Sequence, residues 1–187
     1  MQTRHKVQFL WVPRATEKVG KAPNHTLEVE GQLDPFTDKN SVIVGVGGRI
    51  GGDNFTTLEL QVAQILSDGT IGSASAHRYG SDPNHKLEVE GNVGSQEVVV
   101  GVGMRATNNN LTTLVLYARR MNAETGLLGS DLMTYRFGRD PNHALEAEWY
   151  AANELPAFDR TIITGIGVRV AGSTITTLVL HTGTLIS

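Results

Sequence analysis

Three times along the chain a proline is followed by asparagine and histidine: Pro23-Asn24-His25, Pro83-Asn84-His85 and Pro141-Asn142-His143. Two copies are preceded by an aspartate, Asp82 or Asp140, where the first has Ala22. In the same two copies an aromatic residue followed by glycine stands just upstream (Tyr79, Phe137), and Val19-Gly20 replaces it in the first. A loop that offers carboxylate, amide and imidazole has donors and acceptors suited to sugar hydroxyls. The candidate ligand-binding residues are therefore Asn24, His25, Asp82, Asn84, His85, Asp140, Asn142 and His143. The same residue types also make good turns, because Asn hydrogen-bonds its own backbone and His can cap the strand that follows. Three histidines meeting at an axis would suit a metal, but nothing in the spacing brings these loops together. No metal and no cofactor is expected.

A second set recurs with the first: Arg49, Arg105 and Arg169, with Glu28, Glu88 and Glu146, and Glu30, Glu90 and Glu148. A Glu-x-Glu pair on a strand puts both carboxylates on one face, about 7 Å apart. That separation lies within the range of glycosidase carboxyl pairs. Threefold repetition with an arginine at matching positions argues instead for bidentate ion pairs across neighbouring strands. Catalytic sites are normally single, asymmetric pockets. No Gly-x-Ser-x-Gly nucleophile motif occurs, and Gly45-x-Gly47 and its copies lie in an apolar strand with no helix behind them to receive a phosphate. The chain reads as non-enzymatic.

The elements that position these residues are also written three times. The prolines lie 60 and 58 residues apart. After each Pro-Asn-His comes an alternating apolar/acidic strand (Leu27–Glu30, Leu87–Glu90, Leu145–Glu148), then a Val/Ile-rich run ending in Gly-x-Gly-x-Arg. The glycines of that run mark a bulge or a close approach by another chain segment. A Gly/Asn turn and Thr-Thr-Leu-x-Leu follow (Thr56–Leu60, Thr112–Leu116, Thr176–Leu180), the threonines read as strand residues with a methyl-bearing face inward. A second turn leads to a fourth strand at Ala74–Tyr79 and Leu132–Phe137. The third copy stops just past its second turn without one, and Lys6–Val12 supplies a spare strand at the other end. This predicts one domain over 1–187, with repeats at about 23–80, 83–138 and 141–187, the last completed by strand 6–12. The class is all-β: a pseudo-threefold β-prism of three four-stranded antiparallel sheets, with a β-trefoil as the alternative.

Val98–Arg105 followed by Asn108–Leu116 is similar to the repeat of the vitelline membrane outer layer protein I family, with its rhythm of glycine, apolar residue, arginine, polar turn and apolar strand. More distantly the chain resembles jacalin-type lectins through the β-prism I fold. The likeness covers about twenty residues per copy. The egg-layer proteins are disulfide-bonded, whereas this chain has no Cys, and the jacalin sugar-loop pattern is not recognisable. The resemblance therefore implies the fold more than the function.

Composition closes off several classes. A net charge of −3 argues against a nucleic-acid partner, and no apolar run approaches the roughly 20 residues of a membrane span. Met1–Lys6 leads into no signal-peptide core, and the lack of Cys fits a cytosolic origin without requiring one. The compartment is left open. Three Asn-x-Thr sequons, at Asn24, Asn54 and Asn110, matter only in a secreted chain. Trp11 and Trp149 read as core or sheet-edge residues. The expected function is a multivalent, lectin-like carbohydrate-recognition module acting on glycans or a glycosylated surface. The alternative is a membrane- or protein-targeting domain of a larger toxin or coat assembly; a homo-oligomer is compatible with either. If one site has specialised, the longer loop Trp149–Asp159 of the third copy is the place to look.

Overall fold

The computed structural model describes residues 8–151 and 160–187. Twelve strands account for most of them: β1 Leu10–Val19, β2 Val29–Gln32, β3 Ser41–Gly51, β4 Asn54–Ile65, β5 Ile71–Tyr79, β6 Val89–Asn92, β7 Glu97–Thr107, β8 Asn110–Arg120, β9 Met133–Gly138, β10 Ala147–Tyr150, β11 Thr161–Ala171 and β12 Thr174–Ile186. They form three separate antiparallel sheets, not a closed barrel: sheet A in the order β1-β12-β11-β2, sheet B β5-β4-β3-β6 and sheet C β9-β8-β7-β10. Sheets B and C are Greek keys, three hairpin-linked strands with the fourth returning beside the first; sheet A has the same spatial order, but no hairpin joins β12 to β1. Three such sheets about a common core make a pseudo-threefold β-prism, and the trefoil alternative is set aside.

The N-terminal segment does finish the sheet that the chain's last strands begin. β1 runs antiparallel to β12 from Leu10 opposite Ile186 to Val19 opposite Leu178. The strand is longer and later than the expected 6–12, and Lys6 and Val7 lie outside the described residues. A β-bulge between Pro13 and Ala15 carries the edge strand past the proline. β12 likewise runs unbroken to Ile186, so the turn expected before Thr184 is absent.

Sheets and written repeats are offset by one strand. Each Pro-Asn-His block hands its short strand to the sheet before it, so β2 pairs with β11, β6 with β3 and β10 with β7. Sheet A thus takes two strands from the N-terminal part of the chain. The short strands also begin two residues later than expected, because the leucine and first glutamate leave the strand path. The leucine folds over the sheet, and the second glycine of Gly-x-Gly makes room for it. A Cβ at Gly47, Gly103 or Gly167 would stand 2.6, 2.4 and 2.5 Å from a methyl of Leu87, Leu145 and Leu27. The strand also bulges just before the first glycine, at Ile43/Gly45, Val99/Gly101 and Ile163/Gly165.

The core is the shared inner face. Val46, Leu58, Leu60, Val102, Leu114, Leu116, Ile166, Leu178 and Leu180 are all wholly buried. Trp11 is buried with them, its Nε1 donating to the Asp38 carbonyl at 2.9 Å. Tyr79 and Phe137 close the seams between sheets, each ring lying on a glycine of the next sheet, Gly31 or Gly91. At the third seam the sequence has Val19 and Trp149 in these positions, so the large member changes sides and volume is kept.

The Thr-Thr pairs do more than pack. The first hydroxyl (Thr56, Thr112, Thr176) donates to the carbonyl of Arg49, Arg105 or Arg169. The second (Thr57, Thr113, Thr177), fully buried, donates to the carbonyl just before the proline of each Pro-Asn-His, on Asp82, Asp140 or Ala22. Thr113→Val keeps the shape and leaves the Asp140 carbonyl short of a donor. It should cost about 1–2 kcal/mol, read as a lower urea midpoint at unchanged slope.

Candidate functional site

Each Pro-Asn-His is a β-turn. The N–H of His25, His85 and His143 donates to the carbonyl three residues back, on Ala22, Asp82 and Asp140, at 3.0 Å each. Proline at the second position presets the backbone for this. The turns are pinned to the Thr-Thr strands from both sides: the N–H of Ala22 and of Asp82 donates to the carbonyl of Thr176 and of Thr56, and Arg139 does so to Thr112. The threonine hydroxyls donate back. All three turns therefore lie at one end of the prism, beside the hairpin tips between β3 and β4, β7 and β8, and β11 and β12. At this end Asn109, its amide turned so that the nitrogen donates, reaches the Gly52 carbonyl at 3.0 Å and Asp53 Oδ1 at 2.9 Å. That contact joins the tips of sheets B and C.

The glutamates lock the same end. One oxygen of Glu28, Glu88 or Glu146 accepts from Nη1 of Arg169, Arg49 or Arg105, at 3.0, 2.9 and 3.1 Å. The other oxygen accepts a backbone N–H of the next sheet: Phe55 at 2.6 Å, Leu111 at 2.7 Å and Ile175 at 2.6 Å. The expected ion pairs are present, but they are not bidentate, because each carboxylate divides itself between an arginine and a neighbouring sheet. The second glutamates do not pair with these arginines. Glu30 faces His181 Nε2 at 3.5 Å, and Glu148 accepts from the Tyr117 hydroxyl, whose ring stacks on Tyr150. Burial and the Glu148 carboxylate push the Tyr117 hydroxyl well above its ordinary pKa.

The predicted site residues fall into two groups. The side chains of Asn24, Asn84 and Asn142 are exposed, as are the three histidines. Asp82 and Asp140 are half-buried, and their backbone carbonyls serve the turn. The histidines are not equivalent: His25 Nδ1 accepts from Arg169 Nε at 3.3 Å, and His85 Nδ1 is 3.9 Å from Asp82 Oδ2. Tyr79 and Phe137 are spent on the seams rather than presented beside the turns. No three metal-ligating side chains stand together among the described residues. Most of the Trp149–Asp159 loop, residues 152–159, lies outside the described residues.

Sequence reading missed the outer faces of the sheets, where the repeats diverge. His181, Gln61 and Tyr117 occupy one position, and Gln32, Asn92 and Tyr150 another. On sheet B, Glu59 is buried at 1% exposure against Arg78, where the other copies have Val115 and Val179. The signal was available as the residues between the invariant leucines of each third strand.

No protein-family model matches the chain, and no curated protein is similar to it in sequence. The motif likeness to the egg-layer repeat therefore stays at the level of the motif. Solved structures with a similar chain course include wild-type Malaysian banana lectin, at 16% identity and a TM-score of 0.43, over 92% of this chain and 97% of that one. A mannose-specific jacalin-related lectin from Morus nigra, solved with mannose, is 13% identical with a TM-score of 0.40, over 97% and 99%. An insecticidal crystal protein of Bacillus thuringiensis is 13% identical with a TM-score of 0.39, over 76% of this chain and 27% of that one. At these scores the assignment of the fold rests on the three sheets themselves.

Proposed function

We infer that this β-prism is a non-catalytic carbohydrate-recognition module whose Pro-Asn-His turns engage glycans. One observation carries the reading: three fixed turns at one end of the molecule each hold an amide and an imidazole out to solvent. Bonds on both sides of each turn set the backbone, so little ordering remains to be done when a ligand arrives. The amides donate and accept, as sugar hydroxyls require. Three sites on one end suit a glycosylated surface, where weak single contacts gain by simultaneous engagement. The first-set glutamates, each already holding an arginine and a backbone N–H, are not disposed as an acid and base.

The test is binding to a glycan array or agglutination of red cells. His85→Ala combined with His143→Ala should abolish the signal while leaving the melting temperature within about 2 °C of wild type, as expected of exposed positions. Binding unaffected by the pair, or no binding at millimolar sugar by the intact protein, would refute the assignment to these turns.

A further inference from the structure

On the outer face of sheet A, three departures from the threefold pattern coincide. The connection from β2 to β3 runs through Leu33–Asn40, twice the length of Val93–Gln96 between β6 and β7 and shorter than 151–160 between β10 and β11, so the three differ. The bulge between Pro13 and Ala15 turns Arg14 out as an extra residue, and bulges often re-aim a side chain beside a site. His181 stands where the other sheets have Gln61 and Tyr117. Its Nδ1 is 3.2 Å from Thr16 Oγ1, while its buried Nε2, 3.5 Å from Glu30 Oε2, makes no hydrogen bond. Between these features lies a cleft of about 260 Å³ whose walls include Trp11, Arg14, Thr16, Gln32, Pro35 and His181.

The residue after Pro35 is Phe36, 85% exposed. It is presented, not loose. Asp34 Oδ1 accepts the N–H of Phe36 at 2.7 Å and of Thr37 at 3.3 Å. Asp38 closes the loop, its Oδ2 accepting from the Asp34 N–H at 2.9 Å and its N–H donating to the Asp34 carbonyl at 2.8 Å. Trp11 anchors the far side through the Asp38 carbonyl. A phenyl ring held in water by a braced loop adds nothing to the core, and packing gives no reason for it.

We propose that this cleft is a saccharide site of its own, binding one neutral hexose unit with Phe36 against the apolar face of the ring. The lining supports that class. Gln32 donates and accepts, Arg14 donates, Thr16 carries a hydroxyl, and the carboxylate of Glu30 lies behind His181, so both signs are present and neither dominates. A neutral polyol needs such a mixture, whereas an anion would call for unopposed cations. The cavity is below the range of drug-sized pockets, which suits a single ring. The proposal shares the carbohydrate class with the reading above but not its residues.

Titrating ¹⁵N-labelled protein with the methyl glycosides of glucose, galactose and mannose tests it, with backbone amide shifts as the readout. Saturable shifts should appear at Thr16, Gln32 and Phe36 with at least one glycoside. Phe36→Ala and Gln32→Ala should each weaken that binding about tenfold, and His85→Ala with His143→Ala should leave it unchanged. Phe36 and Gln32 are exposed, so these variants keep the fold. Shifts confined to the Pro-Asn-His turns would overturn the cleft site and support the turns; shifts confined to the cleft would do the opposite. No shift with any glycoside overturns both, and undiminished binding by the two cleft variants overturns this one.

Discussion

Gly138→Ala should destroy the folded protein or lower its stability by about 4 kcal/mol or more, a large share of the 5–15 kcal/mol a domain of this kind has. Gly138 has φ +114°, a conformation that L side chains rarely adopt, and an added Cβ would lie 2.1 Å from the Thr112 carbonyl oxygen. The strained backbone alone costs about 1–3 kcal/mol. Relieving the clash also pulls on the Arg139 N–H bond to the same oxygen, 3.0 Å long. Gly20 and Gly80 hold the same position with φ +116° and +117°, and a Cβ there would be 2.4 and 2.2 Å from the Thr176 and Thr56 carbonyls. Gly172 is the control: φ is +61° and nothing stands within 4 Å of its Cβ. Gly172→Ala should cost only about 1–2 kcal/mol. Urea melts of the two variants measure the difference, and equal losses would mean that the turns are not pinned as described.

Glu88→Ala comes second, at about 2–3 kcal/mol. It strips the Leu111 N–H and the Arg49 guanidinium of one partner at once. Breaking a buried pair costs about 3–5 kcal/mol. Arg49 is 35% exposed on its side chain and recovers part of its loss in water, which lowers the figure. Glu88→Gln keeps an oxygen for the N–H and gives up the charge, for about 1 kcal/mol. Thermal melting should show a drop of roughly 5–10 °C for alanine and 2–4 °C for glutamine. A glutamine variant as damaged as alanine would place the whole effect in the ion pair and none in the link to sheet C.

The fold was legible because the chain carries its own comparison. Residues repeated in three copies are those the interior and the turns require, and Leu58, Leu114 and Leu178 announce a shared core. Which sheet a short strand joins was not legible. Leu-Glu-Val-Glu states that a strand is half-buried, and alternation says nothing about its neighbour. The continuation of β1 past Val12 was not legible, because an edge strand with a bulge accommodates Pro13 and a bulge leaves no mark in residue type. The arginine–glutamate pairs were legible from charge and repetition; their division between two sheets depends on backbone amides, which every residue has. The threonine hydroxyls were overlooked for a related reason, since Thr is a strand former whether or not its oxygen is used. The cleft on sheet A lay beyond reach because His181, Arg14 and Phe36 do not recur, and repetition was the guide.

The three split carboxylates have a bearing on how the molecule comes apart. Glu28 joins sheet A to B, Glu88 joins B to C, and Glu146 joins C back to A. An open array of repeats can fray from a free end, each unit leaning only on its neighbours. A ring of links has no such end, and detaching any sheet severs two of them. Denaturation should accordingly be all-or-none, without the stepwise loss of modules that the tripled sequence would invite one to expect.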